Sequence, residues 1–198
     1  MDVLAVKAGE HDDVGATLAS AFADDPLFTW MVAAKPPIES RLEPFFSAMV
    51  KQTVRASDHL VFRTDNGAGA AVWRPVDKWK VPPMELLRSL PAVVRTMRLR
   101  LPAMLSALST IEKNHPIAPH YYLEMLGTRR DQQGKGVGTA LIQPMLERCD
   151  REGLPAYLES SNPQNIPFYA RHGFERREEL TLGKGAPSVT TMWREPRG

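Results

Sequence analysis

Tyr121-Tyr122-Leu123-Glu124-Met125-Leu126-Gly127 runs, after a short polar connection, into Gln133-Gly134-Lys135-Gly136-Val137-Gly138, and that second stretch opens a helix-like segment from Thr139 to Glu152. The first stretch is apolar and reads as a strand. A glycine-rich turn between a strand and a helix leaves several backbone N–H groups unpaired and aimed one way. With the positive end of the helix dipole they form a site for phosphate. The expectation is a nucleotide or coenzyme cradle.

Spacing separates the cradles. A phosphate loop of NTPase type needs Ser or Thr after its lysine, and Lys135 is followed by Gly136. A dinucleotide turn needs a third glycine where Thr139 stands, and needs it early in the chain. The remaining pattern, Q/R-x-x-G-x-G/A, is met by Gln133, Gly136 and Gly138. Downstream, Ala156 to Ser160 reads as a strand, and Asn162 stands seven residues before Tyr169, with Gly173-Phe174 following.

These two signatures, in this order and separated by one helix and one strand, resemble the GNAT N-acetyltransferases. Gln132 to Phe174 is similar to the puromycin N-acetyltransferase subgroup, and Ala21-Phe22-Ala23-Asp24-Asp25-Pro26 resembles that subgroup's first helix–loop. The resemblance implies an α+β GNAT fold: a mixed central sheet of about six to seven strands flanked by helices, with a helical insert before the fourth strand. It implies one domain over residues 1–198, the insert covering 75–119. It implies acetyl-CoA as cosubstrate and no metal.

The same resemblance distributes the roles. Gln133, Gly134, Lys135, Gly136, Val137, Gly138 and Thr139 would hold the pyrophosphate, with Arg130 or Lys135 adding charge. The fourth and fifth strands would splay, leaving Met125, Leu126 and Thr128 for the pantetheine arm and an amide near Leu126 for the oxyanion. Asn162 falls on the family's asparagine. Tyr169 would protonate the departing thiolate.

The base is read from the residues themselves. Glu124 and Glu159 lie inside apolar strands, and an isolated buried carboxylate is costly enough to need a reason. Either is a candidate base. Alternation puts Glu124 on one strand face with Tyr122 and Leu126. Phe28, Trp30, Trp73 and Tyr122 are the candidate aromatic walls of an acceptor pocket. His115 and His120 sit in a proline-containing linker without metal-ligand spacing and read as structural or solvated.

Composition sets the frame. The chain has 198 residues, 43% hydrophobic and 24% charged, enough for one buried core. A net charge of +2 with no Lys/Arg run argues against nucleic acid. One cysteine, Cys149, cannot form an internal disulfide, which points to a reducing, cytoplasmic setting. No apolar run predicts a membrane span, and a monomer or homodimer is expected. Within the insert, Met84, Leu87, Leu90, Val94, Met97 and Leu101 form a helical stripe beside Arg88, Arg95, Arg98 and Arg100. A small-molecule amine is the leading acceptor; a protein or peptide amine, and a non-catalytic acyl-CoA sensor, are the alternatives.

Overall fold

The computed structural model describes residues 1–32, 37–56, 60–80 and 82–198. Seven strands form one sheet in the order β1-β2-β3-β4-β5-β7-β6. They are β1 (Val3–Ala5), β2 (Val61–Thr64), β3 (Gly69–Arg74), β4 (Tyr121–Thr128), β5 (Ala156–Ser160), β6 (Glu175–Thr181) and β7 (Ser188–Arg194). The β2–β3 hairpin turns at Asp65-Asn66-Gly67, where the Thr64 hydroxyl accepts from Ala68 N and Gly69 N at 2.8 and 3.2 Å. Every neighbouring pair is antiparallel except β4–β5.

Helices cover both faces. On one side α1 (His11–Ala21), α2 (Pro26–Met31), α3 (Glu39–Ala56) and α4 (Pro83–Met97) bury Leu18, Phe28, Leu42, Phe46, Val93 and Met97 against Ala70 and Val72 of β3. On the other, α6 (Val137–Glu152) and α7 (Ile166–Arg171) bury Leu141, Ile142, Met145, Tyr169 and Phe174 against Trp73, Leu123 and Leu158. The second α-helix of the insert, α5 (Leu101–Asn114), lays Ala107 on Leu180, Leu182 and Val189. Alternation along β3 supplies both layers, which is why all six of its residues are buried.

Several expectations need correction. The six-residue helix α2 went unread, although Asp25 caps it through Leu27 N and Phe28 N at 2.9 and 3.2 Å, with Pro26 at its first position. Pro144 predicts a kink or a break near Gln143; α6 runs through it without a break. Pro144 lies on its exposed face, where water can serve the freed carbonyl. Pro44 lies within α3 rather than at its first turn. The insert stripe splits: Met97 is buried, while Met84, Leu87, Leu90 and Val94 stay 41% or more exposed. The expected strand start at His59 lies outside the described residues. Cys149 is fully buried, and burial pushes its thiol pKa up to about 12, so it is not a nucleophile at neutral pH.

Candidate active site

The turn between β4 and α6 is exposed and preorganised. Gly134 and Gly136 adopt φ of 75° and 80°, and Gly136 caps α6. A Cβ at Gly136 would meet nothing within 4 Å, so the glycine serves backbone conformation, not space. Gly138 serves space: a Cβ there would lie 3.1 Å from the Phe168 ring. The first bond of the helix is Ala140 N to Gly136 O at 3.0 Å, which leaves the amides of Val137, Gly138 and Thr139 facing outward. Lys135 folds back onto Asp131 O and the Gln132 side chain at 3.0 and 3.1 Å, and Arg130 pairs with Asp24. The loop therefore offers backbone donors first. This positive-φ turn fits a pyrophosphate.

Beyond the turn the sheet forks. The only register pairs of β4 with β5 are Tyr121↔Ala156 and Tyr122↔Tyr157. Arg129 N donates to Ala68 O of the β3 side, so alternation turns the Leu126 and Thr128 amides toward the fork. The Met125 amide turns toward β3, so this residue offers the fork a side chain only. Between Val72↔Met125 and Trp73↔Leu123 the register shifts, leaving Glu124 as an extra residue on β4. The bulge overturns the expected shared face of Glu124 and Leu126. Met125 packs with the α1–α4 layer, and Leu126 packs with the α6 layer.

A cavity of roughly 460 Å³ opens at this fork. Tyr169, Glu124, Glu159, Tyr122 and Phe28 line it, as do Met125 and Leu126. The Tyr169 hydroxyl has no hydrogen-bond partner among the described residues. Burial, with the nearby Asp25 carboxylate, raises its pKa, so it stays protonated at neutral pH. Trp73 and Trp30 are corrected. Trp73 is 0% exposed within the core beneath α6, and Trp30 packs beside α5 under the Arg100 guanidinium; neither lines the cavity. Asn162 caps a 3-10 turn by accepting from Gln164 N at 3.0 Å, which fixes the chain entering α7.

The charged lining has structure of its own. Arg74, 4% exposed, holds Glu124 in a two-point pair at 2.7 and 3.3 Å and reaches Glu85 of α4 at 3.6 Å. Asp25 accepts from Ser161 Oγ at 2.6 Å, tying the start of α2 to the end of β5, and burial raises its pKa. Glu159 is 6% exposed, and its Oε1 lies 3.5 Å from His115 Nδ1. Asp25, Arg74, Glu85 and His115 were not foreseen in the sequence as site residues. Arg74 carried a signal, as a charge closing an apolar strand. The pair His115 and His120, read as structural or solvated, is buried at 7% and 3% exposure.

A sheet forked between the parallel strands β4 and β5, with a glycine turn at one end and, among the described residues, an unpartnered tyrosine hydroxyl in the fork, is the architecture of the GNAT fold. Residues 106–174 match the model of the acetyltransferase (GNAT) family. An uncharacterized N-acetyltransferase of Schizosaccharomyces pombe is 29% identical over 96% of this chain and 82% of its own length. A Corynebacterium glutamicum structure described as a histone acetyltransferase and related acetyltransferase superposes with a TM-score of 0.72 at 22% identity, covering 100% of this chain and 97% of its own. A PaiA N-acetyltransferase of Thermoplasma acidophilum, solved with coenzyme A, gives 0.58 at 11% identity over 98% of both chains. The chain has the GNAT fold, and its residues 106–174 match the acetyltransferase (GNAT) family. Among the described residues no helix is long and apolar enough to cross a membrane, and no cluster could hold a metal ion.

Proposed function

We propose that this protein transfers the acetyl group of acetyl-CoA directly to the primary amine of a small cationic molecule with an apolar body. The cavity lining carries the reading. Four carboxylates, Asp25, Glu85, Glu124 and Glu159, face one guanidinium, Arg74, beside an apolar wall that includes Val93, Met104, Leu108 and Ile111. An ammonium is drawn to the first set and an alkyl or aryl body to the second.

The turn from Gly134 to Thr139 would receive the pyrophosphate, and the fork-side amides of Leu126 and Thr128 would receive the pantetheine arm as an added strand. Glu124 is committed to Arg74 and shapes the negative wall. Glu159, whose Oε1 makes no hydrogen bond, is the group left to take the ammonium proton. The freed amine attacks the thioester carbonyl, the Leu126 amide stabilises the oxyanion, and Tyr169 gives its proton to the departing thiolate.

The test is thiol release from acetyl-CoA with alkyl and aryl primary amines, linear polyamines, N-terminal peptides and puromycin, an aminonucleoside whose amine adjoins an aryl group. The reading expects monoamines with apolar bodies to give the highest kcat/KM. Release with peptides alone would reassign the acceptor, and binding of acetyl-CoA without release by any amine would make the protein a sensor.

A further inference from the structure

One proton has to leave this cavity in each turnover. An alkylammonium carries three N–H bonds; the amide keeps one and the coenzyme A thiol takes one. The third must reach solvent from Glu159, a carboxylate 6% exposed. This need rests on the proposed function.

Two buried imidazoles connect Glu159 to the surface, and their hydrogen bonds fix where their protons sit. His120 Nδ1 lies 2.6 Å from the Ala118 carbonyl. A carbonyl only accepts, so Nδ1 carries a proton and the Nε2 of neutral His120 is bare. His115 Nε2 lies 3.0 Å from that bare nitrogen and must donate to it. Neutral His115 is then bare at Nδ1, the atom 3.5 Å from Glu159 Oε1. Each ring therefore presents a proton acceptor toward the cavity and a proton donor toward the surface.

We propose that His115 and His120 pass the substrate's proton from Glu159 out to solvent at the Pro116–Pro119 loop, acting as positioning residues for acetyl transfer. The protonated Glu159 gives its proton to His115 Nδ1. His115 Nε2–H passes to His120 Nε2, and His120 Nδ1–H leaves to water beside Ala118, which is exposed, next to Ile117 at 98% exposure. Each ring ends with its proton on the other nitrogen, and exchange with water, which removes one proton from each ring as it returns one to the opposite nitrogen, restores the start.

The surroundings keep the path narrow. Trp79 stacks on His115 at 3.8 Å between ring centres, and Lys80 lies on Trp79. Tyr122 of β4 and Tyr157 of β5 meet His115 edge-on at 5.0 and 4.9 Å, and Trp193 of β7 meets His120. Burial, then the charge of Glu159, holds both phenols above their ordinary pKa, so neither releases a proton near neutrality. Burial, and then His115, lowers the proton affinity of His120; the Ala118 carbonyl, and less so the charges of Glu159 and Asp77, oppose this only in part. The ring hands its proton on rather than keeping it.

The experiment compares wild type with His115→Gln and His120→Gln, following kcat against pH with and without added imidazole. Glutamine can hydrogen-bond but cannot relay a proton. The expected result is a kcat lower by about tenfold or more at pH 7, an unchanged KM for acetyl-CoA, and recovery that rises with imidazole concentration while wild type ignores it. Wild-type kcat in both variants, or a loss that imidazole does not restore in a folded variant, overturns the relay. Should either variant fail to fold, imidazole nitrogen NMR on the wild-type protein decides. His120 protonated at Nδ1 and His115 at Nε2 support the path, and the opposite tautomers overturn it. A wild-type protein that acetylates no amine defeats the proposed function instead, so the two failures are distinguishable.

Discussion

Replacing Glu124 by Leu should destabilise the protein without abolishing its chemistry. Arg74 is 4% exposed and Glu124 14%, so neither charge has much water to fall back on. Removing one partner of a buried pair costs about 3–5 kcal/mol because the other charge is stranded. Here Glu85 remains 3.6 Å from Arg74 and recovers part of the loss. The expected cost is therefore about 2–3 kcal/mol, below the full range for a stranded charge. At about 2–4 °C per kcal/mol for a chain of this length, Tm should fall by about 4–12 °C. The effect should change little with salt, since buried charges are weakly screened. Thermal unfolding followed by circular dichroism measures it, and Glu124→Leu combined with Arg74→Met should recover most of the loss. A single variant as stable as wild type, or a double variant no better than the single, would refute the claim that this buried pair holds the bulge of β4 to the end of β3.

Three further outcomes follow from the geometry. Tyr169→Phe removes a hydroxyl with no partner among the described residues, so stability should hold while kcat falls about a hundredfold or more; equal kcat in a stopped-flow thiol assay would remove Tyr169 as the acid. Gly136→Val forces a β-branched residue to a φ of 80°, at a cost of about 1–2 kcal/mol for a left-handed L-residue. Calorimetry should show acetyl-CoA affinity reduced at least about fivefold, and unchanged affinity would disconnect the turn from the cofactor. Asp150 is bound at 2.7 and 2.8 Å by Arg194, whose hydrogen bond chiefly lowers its pKa. That stability is present above the unfolded-state value of about 3.9 and is lost as pH falls through the lower native value. Wild type should exceed Asp150→Asn in urea resistance at pH 7, and the two should converge in acid; a gap independent of pH would contradict this.

The geometry of the candidate donor half was legible because its spacing is local. The turn around Gly136, strand β4 to within one residue, and Tyr169 on α7 all sit within one continuous stretch whose spacing is set by backbone geometry. The acceptor half was not. The bulge at Glu124 leaves no mark on an apolar–polar pattern, yet it decides which side chains share a face. Trp30 and Trp73 were misplaced because an aromatic residue in a strand or helix announces burial, not which of two layers buries it. Phe28 and Tyr122 escaped that error because α2 and the fork of β4 bring them to the cavity. The 3.5 Å approach of His115 to Glu159 joins the end of the insert to β5, and no local spacing encodes such a contact.

Initial rates of thiol release over a matrix of acetyl-CoA and amine concentrations, with mass spectrometry of the protein, test the central claim most directly. Direct transfer in the fork predicts intersecting reciprocal plots and a protein mass that never gains an acetyl group. Parallel plots with an acetylated enzyme, or no release with any amine, would contradict it.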